Sequence, residues 1–212
     1  MPKATTSMPE TKRWSSNWSR GVPGLLWRLA RVGIRIRLFL VVREGAPSNI
    51  ERLTTDSRFS FGFVGTDDIP ELVRVRPGVD AAKCAERLRG GLLCYVVKDG
   101  SRIVSMMWCD LEKFDVETFH RRLGDREAYL FGAYTDPAYR GQNLAPFLRL
   151  KCYDALRAMG RDSFFSITEY FNTAARRYKE KLGAVNESLH LQVGIFGWFS
   201  RTLTLRRYAA DV

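Results

Sequence analysis

The chain is poor in several things. It has only two histidines, His120 and His190, and four cysteines, Cys84, Cys94, Cys109 and Cys152, none in CxxC spacing. That argues against a zinc site and a disulfide framework, and no metal is expected; a reducing cytoplasm is the simple reading. Acidic residues are scarce, 23 Asp and Glu against 34 Lys and Arg, for a net charge of +11. Such a balance favours anionic partners. No uninterrupted apolar run is long enough for a membrane span: the segment from Val22 to Val42 is broken by Arg28, Arg31, Arg35 and Arg37. The first twenty residues lack the apolar core of a signal peptide.

What remains is a globular composition. Of 212 residues, 45% are hydrophobic and 27% charged, enough for one domain with its own core. The charge is unevenly spread. Residues 1–44 carry nine basic and two acidic side chains, hence +7, and the other 168 residues carry only +4.

Periodicity predicts the elements. Residues 1–20 read as disordered, 23–33 as an amphipathic helix and 36–43 as an alternating strand. A strand follows at 59–64, then a short helix capped by Thr66, then a helix over 80–89 ended by Gly90 and Gly91. Asp99-Gly100 joins strands 94–98 and 103–109 as a hairpin. The polar stretch 110–127 holds a candidate short helix. Beyond it come strand 129–135, helix 142–159, strand 163–168, helix 172–182 and a terminal strand pair, 189–195 and 201–206. This order predicts an α/β fold with a mixed sheet.

The stretch Tyr129 to Ala145 carries the chemistry. A strand ends at Thr135, Pro137 breaks the ladder, Arg140 and Gly141 turn the chain, and a helix begins near Gln142. Backbone N–H groups at such a helix start form a natural cradle for a pyrophosphate. The run Pro137-Ala138-Tyr139-Arg140-Gly141-Gln142-Asn143-Leu144-Ala145 resembles the acyl-CoA loop of the GNAT acyltransferase superfamily, with Asn143 where a glycine is usual. A left-handed or turn conformation is tolerated by Asn better than by most residues. A second run, from Asn172 through Tyr178 to Gly183, resembles the later GNAT element and begins 27 residues after Ala145. The resemblance covers roughly residues 57–212.

This resemblance implies a GNAT-like mixed, mostly antiparallel sheet with a splayed parallel strand pair and helices on both faces. It divides the chain into a basic N-terminal extension, 1–44, and an acyl-CoA-binding domain, 45–212. Strands 129–135 and 163–169 would splay around the pantetheine arm. Backbone groups around Ala133, Tyr134 and Thr135 would hold that arm and polarise the thioester carbonyl. Arg140, Gly141, Gln142, Asn143, Leu144 and Ala145 would hold the pyrophosphate. Asn172 would contact the cofactor arm, and Tyr178 would protonate the departing thiolate. Acetyl-CoA or another acyl-CoA is the implied co-substrate and an amine the acceptor.

The first splayed strand offers no carboxylate, so Glu169 is the candidate base, with Asp110, Glu112, Asp136, His190 or a water relay as alternatives. No serine or cysteine stands in a nucleophile motif, which points to direct transfer in a ternary complex. The alternative is a non-catalytic acyl-CoA-binding or docking module. Residues 14–43 have three readings: packing on their own domain, docking on an anionic membrane through Trp14, Trp18 and Trp27 among arginines, or binding nucleic acid or an acidic carrier. No nucleic-acid motif accompanies them. The expected location is the cytoplasm, with the cytoplasmic membrane face as the second reading.

Overall fold

The computed structural model describes residues 29–45, 57–116 and 119–208. Most of the expected 23–33 helix, and the tryptophans of the expected membrane arm, lie outside these residues.

Among the described residues ten strands form two sheets: β1 (Ile34–Arg43), β2 (Phe59–Val64), β3 (Leu93–Asp99), β4 (Arg102–Asp110), β5 (Lys113–Val116), β6 (Phe119–Arg122), β7 (Glu127–Thr135), β8 (Ser163–Glu169), β9 (Val185–Ile195) and β10 (Phe199–Arg207). Among the described residues these helices accompany them: α1 (Ile69–Val75), α2 (Ala81–Arg89), α3 (Leu144–Ala158) and α4 (Thr173–Lys181). The large sheet has the order β10-β9-β1-β8-β7-β4-β3-β2. Every neighbouring pair in it is antiparallel except β7 and β8. The mixed, mostly antiparallel sheet with one parallel pair is thus present.

Local chemistry explains the boundaries. Asp80 accepts a hydrogen bond from the Ala82 N–H and starts α2, and Gly90 closes it. Gly100 turns the β3–β4 hairpin at φ +59°. The chain between β4 and β7 departs from expectation. It is a two-stranded hairpin, β5–β6, and not a helix. Phe114 is buried there, stacked on Tyr129 at 4.2 Å, so alternation over four residues outweighs the polar composition.

The sheet separates two cores. On one face α3 packs over Val97, Met107, Leu130 and Phe164, with Tyr153 stacked on Phe164 at 4.8 Å. On the other face α1 and α2 cover Val96, Met106 and Trp108. The β5–β6 hairpin continues that second layer over Phe39, Val41, Tyr129 and Phe165. Helices therefore lie on both faces. All four cysteines are buried as free thiols.

The strand at the end of the expected extension has a central place. β1 lies between β8 and β9 and pairs with both. A boundary at residue 44 would cut an interior strand out of the sheet. At the far edge, the β9–β10 turn is exposed: Phe196 is 66% and Trp198 96% accessible.

Candidate active site

The parallel pair sets the geometry. β7 and β8 are in register only from Glu127 opposite Ser163 to Leu130 opposite Ser166. Beyond those residues each strand continues without the other, to Thr135 and to Glu169. A gap therefore opens between their C-terminal halves, as the resemblance implied.

β7 is also bulged. Trp108 pairs with Phe131 and Met106 with Tyr134, so two residues, Gly132 and Ala133, oppose Met107 alone. Gly132 takes φ +63°, and a Cβ there would lie 3.2 Å from Trp108 Cδ1. Ala133 is exposed, at the mouth of the gap. Ser105 ties the strand beyond the bulge, donating to the Tyr134 carbonyl at 3.0 Å and sharing a 2.8 Å bond with the Thr135 hydroxyl. Sequence reasoning missed Arg76, whose Nη1 donates to the Gly132 carbonyl at 3.1 Å. No spacing in the sequence connects residue 76 with residue 132.

The loop after β7 forms a donor-rich corner. Asp136 caps a short 3-10 turn over Pro137–Tyr139 by accepting from the Ala138 N–H. Arg140 leans back, its Nε donating to the Thr135 carbonyl at 3.2 Å. Gly141 follows at φ +83°, with no atom within 4 Å of where a Cβ would stand. Asn143 is left-handed (φ 56°, ψ 17°) and is the N-cap of α3. Its conformation explains how Asn fills a position where glycine is usual. The N–H groups of Gly141, Gln142 and Asn143 have no acceptor among the described residues. Those of Leu144 and Ala145 open the helix, where no carbonyl precedes them in register. Pro146 follows within the first turn, where a missing N–H costs nothing. The corner holds five clustered donors, the positive end of a 15-residue helix and the Arg140 charge, and fits a diphosphate. Gln142 Oε1 accepts from Arg58 Nη2 at 3.1 Å, which fixes the Gln142 side chain at the rim.

Side chains flank the gap on opposite faces. On the α3–α4 face, Tyr178 of α4 is half-buried against the core, with the Arg149 guanidinium 5.7 Å from its ring centroid. Its hydroxyl has no hydrogen-bond partner among the described residues. Asn172 is the N-cap of α4, its Oδ1 accepting from the Ala175 N–H at 3.1 Å. On the other face stands Glu169. Alternation along β8 puts Ser166 and Thr168 toward Lys179 of α4, and Phe165, Ile167 and Glu169 away from it. Glu169 Oε1 accepts from Arg37 Nη2 at 2.5 Å and from Arg37 Nε at 3.2 Å. A partner contributed by β1 was not anticipated.

The other carboxylates and the histidine are engaged elsewhere. Asp110 accepts from the N–H groups of Glu112 and Lys113 at the opposite end of β7, beside Tyr129. Glu112 is exposed in that turn. Asp136 pairs with Arg102 at 3.0 Å. His190 is buried on β9, stacked on Phe39 at 5.2 Å and 2.7 Å from the Ser188 hydroxyl. Burial, with the nearby Arg207 charge, holds its pKa below the usual imidazole value. Among the described residues no cluster of His, Cys, Asp and Glu is arranged to hold a metal ion. None of the described helices is long and apolar enough to cross a membrane.

Comparison with known proteins gives the same picture. The sequence matches the family model described as the acetyltransferase (GNAT) family over residues 63–184. No curated protein sequence matches the chain. Among solved structures it resembles a GNAT-family protein from Novosphingobium aromaticivorans, at 21% identity and a TM-score of 0.53, covering 77% of this chain and 68% of that one. It also resembles an acetyltransferase of the GNAT family from Colwellia psychrerythraea, at 15% identity and a TM-score of 0.55, covering 76% of this chain and 57% of the other. A Staphylococcus epidermidis protein of unknown function matches at 14% identity and a TM-score of 0.55, over 80% and 66% of the two chains. These likenesses speak to the fold, and a third or more of two of the three neighbours lies outside the match. The family model spans more than half of the sequence and takes in the bulged strand, the donor-rich corner and Tyr178: the chain belongs to the GNAT acetyltransferase family.

Proposed function

We propose that the protein transfers an acyl group, acetyl in the simplest case, from coenzyme A to an amine by direct attack within a ternary complex. The observation that carries this reading is the corner at 141–145. Five N–H groups without acceptors among the described residues lie at the start of α3, beside the place where β7 and β8 part. The corner suits a pyrophosphate, with Arg140 adding charge, and the gap suits the pantetheine arm. Gly132 and Ala133, out of ladder register, offer backbone N–H groups to polarise a thioester carbonyl.

The faces divide the remaining work. Tyr178, on the α3–α4 face, has a phenol without a partner among the described residues and would give its proton to the leaving sulfur. Glu169, on the opposite face, is the candidate to take the amine proton. Arg37 engages its Oε1, and Oε2, without a bond among the described residues, would take a water or the amine. Asn172 supports the arrangement first as the cap of α4 and contacts the cofactor arm beside it.

Isothermal titration with acetyl-CoA tests the reading, with saturable binding expected at micromolar concentration. Absence of binding at high micromolar acetyl-CoA overturns it. Tyr178→Phe is expected to lower turnover by roughly 10²- to 10⁴-fold, the usual worth of a positioned acid, with little change in acetyl-CoA affinity. Unchanged turnover removes Tyr178 from the chemistry.

A further inference from the structure

The α1–α2 face of the gap carries two guanidinium groups without carboxylate partners. Arg76 follows α1 and is half-buried, and its one hydrogen bond among the described residues goes to the Gly132 carbonyl at 3.1 Å. Arg87, on the inner side of α2, lies 5.2 Å from the Trp108 ring centroid and 5.6 Å from that of Phe131. It makes no hydrogen bond or ion pair among the described residues. Elsewhere on this surface arginines do find carboxylates, as in Arg74 with Glu71, Arg102 with Asp136 and Arg37 with Glu169. Arg89 and Arg140 also lack a carboxylate among the described residues, but Arg89 donates to the Ala85 carbonyl and Arg140 to the Thr135 carbonyl, whereas Arg87 makes no such bond.

A second observation marks the same spot. Trp108 is fully buried, yet its indole N–H has no acceptor among the described residues. Its Cδ1, the ring atom bonded to that nitrogen, and Arg76 Nη1 both lie within 4 Å of the point where a Gly132 side chain would begin. Unsatisfied donors of this kind are costly away from water and favour an acceptor nearby. Burial and the repulsion of Arg87 also hold the Arg76 pKa below the ordinary guanidinium value, as expected where like charges meet without an anion between them.

We infer that Arg76 and Arg87 form an anion subsite beside the Gly132 bulge, and that the acceptor is a small amine carrying a carboxylate a few bonds from its nitrogen. The inference rests on the acyl-transfer reading above and names its substrate class. The subsite is on the same face as Glu169, the side from which the amine would approach. Arg76 is partly committed to the bulge through Gly132, so Arg87, with its full set of donors, is the principal ligand of the carboxylate. Phe131 and Tyr134 give the substrate apolar walls. A polycationic acceptor would meet two positive groups here and be repelled.

The test compares amino acids (the common α-amino acids, β-alanine and 4-aminobutanoate) with their carboxamides, read as free-thiol release from acetyl-CoA. Titration of the corresponding N-acetyl products into the CoA-loaded protein reads the same preference without turnover. At least one carboxylate is expected to exceed its carboxamide by roughly tenfold or more, in kcat/KM or in product affinity. Arg87→Gln is expected to raise KM for that carboxylate by tenfold or more and to erase the preference, with acetyl-CoA affinity unchanged. Equal treatment of every carboxylate and its carboxamide by both readouts overturns the inference, as does an unaltered preference in Arg87→Gln. Failure of acetyl-CoA to bind at all sinks the acyl-transfer reading instead, so the two failures are distinguishable.

Discussion

The Glu44 carboxylate lies 2.5 Å from the Arg149 guanidinium, with the two side chains 0% and 4% exposed. Glu44 follows directly on β1, and Arg149 is in the middle of α3. Around them Tyr153 donates to Glu44 Oε2 at 2.6 Å, Ser166 donates to Oε1, and Lys179 Nζ stands 3.4 Å from Oε1. Burial raises the Glu44 pKa, but the charges of Arg149 and Lys179 and the bonds from Ser166 and Tyr153 outweigh it, leaving the group below its usual value. This network fastens the strand from the N-terminal segment to the two helices that flank the gap. Arg149 is also the group over the Tyr178 ring.

Removing the carboxylate would leave Arg149 and Lys179 buried without a counter-charge. Glu44→Gln is therefore expected to destabilise the fold by about 3–5 kcal/mol. Urea unfolding checks it through the shift in midpoint at unchanged slope. A loss below about 1 kcal/mol would show that water or a rearranged side chain replaces the anion.

Lys179 gives a pH signature. Burial pulls its pKa down, Glu44 pulls it back, Arg149 adds repulsion, and it comes to about 8 against 10.5 for the free group. Below pH 8 the side chain is charged in both states. Charging it in the buried site then opposes folding in full, by roughly 3 kcal/mol at about 1.4 kcal/mol per unit. Between pH 8 and 10.5 the unfolded chain binds more protons, so this contribution to stability improves as pH rises. Cys94 and Tyr129, whose pKa values burial raises, act in the opposite direction over the same range. The difference between the protein and Lys179→Met isolates the lysine. It should move in favour of the unmodified protein by roughly 3 kcal/mol from pH 7.5 to 10.5. A flat difference would mean that the ammonium keeps its ordinary pKa.

The sequence showed elements well and neighbours poorly. The alternation from Ile34 to Val42 declared a strand, but its partners, β8 and β9, lie over a hundred residues away, and periodicity carries no address. Alternation alone therefore leaves the strand in an extension. Of the site, the 140–145 corner was legible because its residues are contiguous and glycine, proline and asparagine announce their backbone. Arg76, Arg87 and Arg37 were not, because each acts on a residue from a distant strand. The β5–β6 hairpin escaped notice because one buried phenylalanine in a polar stretch is too short a pattern.

β1 as an interior strand has a direct consequence. A chain lacking residues 1–44 would expose the ladder edges of β8 and β9 and remove Glu44 from Arg149. It is expected to show no cooperative thermal transition by circular dichroism, whereas a separable extension would leave the transition near its original temperature. Gly45 limits the seam further. A Cβ there would stand 2.0 Å from the Gly183 carbonyl oxygen, backbone against backbone, so Gly45→Ala should itself destabilise by more than about 2 kcal/mol.

Asn143 separates backbone conformation from side-chain chemistry. At φ 56° it occupies a region that glycine enters freely, Asn enters at modest cost and β-branched residues avoid. Asn143→Gly should preserve stability and acetyl-CoA affinity, because the N–H groups of 141–145 keep their directions. Asn143→Val should cost about 1–2 kcal/mol, and any relief by a shift in φ would change the directions of those groups. Acetyl-CoA affinity is then expected to fall by at least tenfold in Asn143→Val alone. Equal losses in both variants would place the effect in the Asn143 amide, and the binding argument would pass from the backbone to that side chain.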